Sequence, residues 1–130
     1  MAVAELDPET KVADLGGPAL RTFFNLAKAW ELSEQEQMKL LGLNSRSTLH
    51  ACKGGRVSKV SRDTLERISY LLGIFKAINI LLPDTKRADE WVRLPNKAPL
   101  FGGRSALDRM TTGNIGDLYV VRQYLDAQRG

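Results

Sequence analysis

Apolar residues in this chain recur at the spacing of helices almost throughout. From Ala19 to Trp30, the residues Leu20, Phe23, Phe24, Ala27 and Trp30 fall at steps of three and four, which builds one heavily aromatic helical face. Gly16-Gly17-Pro18 punctuates the chain before it, with Pro18 suited to a first helical turn. Met1 to Gly16 shows no sustained period and reads as an arm that is loosely ordered alone. Ser33 with Glu36 three places on forms a capping box ahead of Met38, Leu40 and Leu41, and Gly42 supplies a tight turn. Asn44 and Ser45 then open a short helix whose apolar residues, Leu49 and Cys52, lie one turn apart, and Gly54-Gly55 closes it.

The longest pattern runs from Ser61 to Leu82 and carries two stripes. Leu65, Ile68, Leu72, Phe75 and Leu82 mark one, while Leu71, Ile74, Ile78 and Leu81 mark another. A solvated helix carries about one such stripe. This helix is therefore expected to pack on two sides, between two modules of its own chain or against a second copy. Ser61 caps it and Pro83 stops it.

Beyond Pro83 the elements shorten. Asp84-Thr85 begins a helix carrying Ala88, Trp91, Val92 and Leu94, and a Pro/Gly-rich loop follows to Gly103, with Leu100 and Phe101 as apolar plugs. Ser105 and Asp108 start another short helix that buries Leu107 and Met110. Gly113 breaks it, and Asn114 with Asp117 is expected to cap a last helix. Ile115, Leu118, Val121, Arg122 and Leu125 lie along one side of that helix; Tyr119, Gln123, Asp126 and Arg129 lie elsewhere. The reading is an all-α chain divided into an arm (residues 1–16), a helix-turn-helix and pairing region (17–83) and a small helical domain (84–130).

Composition narrows the class. With 130 residues, 43% hydrophobic and 26% charged, the chain is long enough to bury a core without staples. One cysteine, Cys52, excludes an intramolecular disulfide and fits a reducing compartment. Arg67, Lys76 and Asn79 interrupt the best candidate for a membrane span, and the acidic N-terminal stretch lacks the basic start of a secretory signal. The expected location is cytoplasmic.

The net charge of +4 matters only because of where the cations lie. Between Asn44 and Arg62 the chain carries Arg46, Lys53, Arg56, Lys59 and Arg62 and no acidic residue. A tight turn followed by a short helix that is polar outward is what a helix-turn-helix requires, and a basic run beside it gains by counterion release on a duplex. Arg46, Ser47 and His50 are the candidates for base edges, Lys53, Arg56 and Lys59 are placed for phosphates, and Ser45 belongs to the same expected DNA surface. A merely solvated basic helical hairpin has the same pattern.

Little points to catalysis. His50 and Cys52 are two apart on a helix and face different directions, so they form no nucleophile and base pair. No Cys, His or carboxylate spacing suits a metal, and Gly102-Gly103 lacks the context of a phosphate loop. The expectation is a protein that is not an enzyme and has no cofactor.

Ser33 to Leu43, followed by Ser45 to Leu49, resembles the paired helices of Xre-type, Cro/repressor-like DNA-binding domains, with Asn44 as one extra residue in the turn. From Asp84 onward, Trp91 with Leu94-Pro95-Asn96, then Phe101 to Asp108, Met110, Gly113 and Tyr124 to Gly130, is similar to the toxin-binding domain of MbcA/ParS/Xre antitoxins. Ala106 stands where many members have proline. The resemblance implies an all-helical antitoxin that pairs through the middle of its chain. It would neutralise a RES-domain toxin that consumes NAD, plugging the toxin's cleft with its C-terminal end, and repress its own operon by binding operator DNA. Carried over, the toxin-binding residues are Trp91, Phe101, Gly102, Arg104, Ser105, Asp108, Arg122, Tyr124, Asp126, Arg129 and Gly130. Asp126 and a carboxylate at Gly130 would mimic the dinucleotide's charge, and Arg129 would meet a toxin carboxylate. Two other readings stay open: a helix-turn-helix regulator whose C-terminal half dimerises or senses a ligand, and a toxin-binding protein whose helix-turn-helix no longer reads DNA.

Overall fold

The spacing resolves into seven helices in a computed structural model that describes residues 8–57 and 59–130. In chain order they are α1 (Pro8–Ala29), α2 (Glu34–Leu41), α3 (Arg46–Lys53), α4 (Arg62–Leu81), α5 (Thr85–Trp91), α6 (Ala106–Met110) and α7 (Ile115–Gln128). The described residues contain no strand, only an isolated antiparallel bridge between Pro95 and Ser105.

Local chemistry sets most of the boundaries. Ser33 Oγ accepts from Glu36 N, and the Glu36 carboxylate accepts from Ser33 N, so two of the donors orphaned at the start of α2 are satisfied. Gly42 ends α2 in the left-handed region, at φ 73°. Ser45 and Ser61 cap α3 and α4 through the N–H groups of Thr48 and Thr64. Ser105 and Asp108 form the expected box on α6.

Two expectations need correction. Helix α1 does not start at Pro18 but runs through it from Pro8, so residues 8–16 are helical rather than a loose arm; Met1 to Asp7 lie outside the described residues. A proline inside a helix lacks the N–H and crowds the carbonyl four residues back. Gly16 and Gly17 carry no β-carbons, which leaves the backbone room to adjust there. Asn114 precedes α7 without any side-chain cap bond, and Asp117 instead accepts from Arg109 and Thr112.

Helix α4 is the axis of the fold and is covered on both sides within its own chain, by α1 and by α7, with α2 and α5 also against it. Ile68, Leu71, Ile74, Ala77 and Ile78 are buried, while Leu65, Leu72, Phe75, Leu81 and Leu82 are half-buried. The aromatic face of α1 belongs to this core: Phe23 and Trp30 are fully buried, and Trp30 packs against Phe75. Burying side chains of this size is worth about 1.5–3 kcal/mol each before the entropy of ordering is counted.

Helices α4 and α7 run parallel. Arg67 reaches the carbonyl of Gly113 at the start of α7, Tyr70 packs on Tyr119, and the Arg122 guanidinium lies on Gly73. A β-carbon at Gly73 would collide with that guanidinium, so the absent side chain is what lets Arg122 lie there. Further along, Ile78 and Leu81 line one cleft with Leu125 and Gln128. The return from α4 to α7 is made by α5, the loop and α6.

Candidate functional site

The α3 surface is built from the capped turn outward. Leu49 and Cys52 are buried, which turns Arg46, Ser47, His50 and Lys53 to the exposed side. Burial pushes the Cys52 thiol pKa up. Ser45 is engaged in capping: its hydroxyl accepts from Thr48 N at 3.1 Å and lies 2.8 Å from Thr48 Oγ1. Arg46 and His50, one turn apart, converge on a carboxylate from α2. Glu34 Oε1 accepts from Arg46 Nε at 3.0 Å and Nη2 at 2.6 Å, and Glu34 Oε2 lies 2.6 Å from His50 Nε2. The Arg46 hydrogen bonds, then those to His50, hold the Glu34 carboxyl below its ordinary pKa. Lys53 extends over the Phe24 ring, its ammonium 6.0 Å from the centroid. Arg56 and Lys59 are exposed beyond α3.

The second surface is held by packing. Phe101, 5% exposed, stacks edge-on against both Trp91 and Tyr124, with centroids 6.0 and 5.2 Å apart. The loop around it bonds to itself: Gly103 N donates to Asn96 O at 2.8 Å, Gly102 N to Ala98 O at 3.0 Å, and Asn96 N to Arg104 O at 3.0 Å. Gly102 and Gly103 both have positive φ, at 59° and 89°, which a residue with a side chain enters only with strain. Leu100 and Phe101 thus pin the loop to the core, as expected of large apolar residues in a Pro/Gly-rich loop.

Beyond this loop, Tyr124 and Leu125 join Ile78, Leu81, Leu82, Trp91 and Gln128 around an apolar cleft of about 220 Å³. Asp126 sits between Arg122 and Arg129, at 3.4 and 3.8 Å. Residues Asp126 to Gly130 are all exposed.

Comparison with known proteins reads the chain in the same two parts. Residues 12–73 match the antitoxin Xre-like helix-turn-helix domain, and residues 77–130 match the antitoxin Xre/MbcA/ParS C-terminal toxin-binding domain. The chain belongs to the Xre-type antitoxins. The antitoxin is also 50% identical over 113 residues to an uncharacterized protein, y4oB, of Sinorhizobium fredii, an alignment that covers 85% of this chain and 84% of that protein.

Within the antitoxin, the residues singled out on the toxin-binding side fall into three groups. Trp91, Phe101 and Tyr124 form the aromatic ladder. Ser105 and Asp108 cap α6, with Arg104 3.7 Å from the Asp108 carboxylate. Arg122 is half-buried against α4, whereas Asp126, Arg129 and Gly130 are exposed at the end of α7. Among the described residues no group of His, Cys, Asp or Glu is placed to hold a metal, and no helix is long and apolar enough to cross a membrane.

Sequence reasoning missed the residues that join the two domains. Arg67, 8% exposed, donates to Asp63 at 2.8 Å, to Lys39 O at the end of α2 at 3.2 Å and to Gly113 O at 2.9 Å. Arg93, beyond α5, donates to Trp30 O at 3.1 Å, Glu31 O at 2.7 Å and the Glu36 carboxylate at 3.0 Å. Glu31 is left-handed, at φ 52°, where no glycine signals a helix end, and a cation on the last carbonyls of α1 complements the helix dipole. The only advance sign of either clamp was a charge inside an apolar helix, Arg67, with Asp63 one turn before it.

Proposed function

We propose that this antitoxin neutralises a RES-domain toxin that consumes NAD by placing the last turn of α7 in the toxin's active-site cleft. As a homodimer it binds operator DNA through α3 and represses its own operon. The observation that carries the reading is that the toxin-binding match runs through Gly130 while Asp126 to Gly130 stay exposed at the end of a helix anchored by Leu118, Val121 and Leu125. A carboxylate and a guanidinium on a rigid stub suit a cleft shaped for a dinucleotide's phosphates and ribose. The other residues assigned to the toxin, Trp91, Phe101, Gly102, Arg104, Ser105, Asp108, Arg122 and Tyr124, shape the surface behind that stub.

On this reading the antitoxin acts by binding rather than by catalysis, and does so in the cytoplasm. Half-buried Leu65 and Leu72 with exposed Ile80 lie on one side of α4 and support pairing there. Arg46, Ser47 and His50 face bases, while Lys53, Arg56 and Lys59 meet phosphates. Deleting Gln128 to Gly130 tests the stopper role. The truncated protein should fold, keep its thermal midpoint and fail to rescue cells that express the neighbouring RES-domain gene; rescue by the truncated protein would overturn the reading.

A further inference from the structure

We infer that Glu34, on the helix before α3, is the positioning residue that sets what α3 reads on DNA. The inference rests on the reading that α3 enters the major groove. A carboxylate only accepts hydrogen bonds, and both of its oxygens are occupied here by side chains that face away from the core: Arg46 on Oε1 and His50 on Oε2. Arg46 is held through its Nε and Nη2 edge. That leaves Nη1 and the second Nη2 hydrogen as a free end-on fork, which matches the O6 and N7 acceptors of guanine. The Nε2 side of His50 is committed to Glu34, so its Nδ1 side is the one left for a partner.

A long arginine side chain left alone samples many rotamers. One fixed from a neighbouring helix arrives at the groove already aimed. The pairs are exposed, with side-chain exposures of 73% for Arg46, 49% for His50 and 36% for Glu34, so water and salt weaken them and they yield readily when a base edge offers more. The same carboxylate repels phosphates. A duplex that gives Arg46 and His50 no suitable edge therefore meets a negative charge without compensation, and wrong sequences are disfavoured.

The test measures binding of the full chain, by fluorescence anisotropy, to a duplex from its own upstream region and to a shuffled duplex of equal composition. Wild type, E34A, E34Q, R46A and the E34A/R46A pair are compared. E34A should bind the shuffled duplex a few-fold more tightly and the upstream duplex several-fold more weakly, so that the ratio of affinities falls about tenfold. E34Q keeps an amide oxygen for Arg46 and should retain an intermediate ratio. The double variant should lose less discrimination relative to R46A than E34A loses relative to wild type, because Glu34 acts largely through Arg46, and the remainder reports on His50 and the carboxylate's charge. An unchanged ratio in E34A, or equal tightening on both duplexes, overturns the positioning role and leaves Glu34 as a mere negative charge near the phosphates. Wild-type protein that binds both duplexes alike, or neither, overturns the DNA reading itself and the role with it.

Discussion

The α3 surface and the C-terminal surface solve the same problem, holding side chains ready for a partner, with opposite means. On α3 the residues are arranged by solvent-exposed charges around Glu34. On the C-terminal domain they rest on a buried ring, Phe101, between Trp91 and Tyr124, and on a loop whose backbone bonds to itself. Exposed ion pairs contribute little stability and exchange readily, which suits the proposal that this surface trades its partners for phosphates and base edges. A packed ring and closed loop cannot be exchanged without unfolding, which suits a surface presenting one fixed shape to one protein.

Phe101→Ala attacks that contrast hardest. Removing a buried ring costs about 3–5 kcal/mol, so urea denaturation should show a large loss of stability, and capture of the toxin should vanish with the loop's shape. If toxin capture survives at wild-type strength, the C-terminal surface is not held by packing. Arg67→Ala asks whether the two surfaces are independent. It strips two backbone carbonyls and Asp63 of a charged donor, a loss of about 2 kcal/mol in the same denaturation assay. Because the carbonyls belong to the end of α2 and the start of α7, both DNA and toxin binding should weaken; an effect on one alone would uncouple the surfaces.

The smallest effect is one of pH. Burial raises the Glu36 pKa, but the Ser33 N–H and then the Arg93 guanidinium outweigh it and leave the carboxyl below its ordinary value. A carboxyl depressed in the fold contributes stability above its unfolded pKa and loses it as pH falls through the folded one. Stability should therefore drop by less than about 1 kcal/mol below roughly pH 4, and Arg93→Ala should flatten that part of the profile. An unchanged profile in that variant would show that Arg93 only props the backbone of α1.

Much of this architecture was legible because it is local. The capping boxes at Ser33 and Ser105, the left-handed Gly42 and the caps at Ser45 and Ser61 each involve residues within three or four positions, and each appears in the structure. The two stripes on α4 foretold a helix covered on two sides, and the structure supplies α1 and α7 as the covers. Pro18 misled, because a proline that usually opens a helix here lies in the middle of one. Ser45 was legible as polar and at the start of α3. That its hydroxyl caps that helix followed from the same position.

By itself, then, the order of residues determined the helices and most of their ends, though not the start of α1, together with the turn between α2 and α3 and the family to which the chain belongs. Only the tertiary structure decided which charges meet. Glu34 finds Arg46 and His50 across 12 and 16 positions, Arg67 reaches Gly113 across 46, and Arg93 reaches Glu36 across 57. Such pairings have no period or spacing that betrays them. They exist because burial of the apolar stripes brings distant helices side by side, and the polar groups at the margins then take whatever partner the packing has placed within reach.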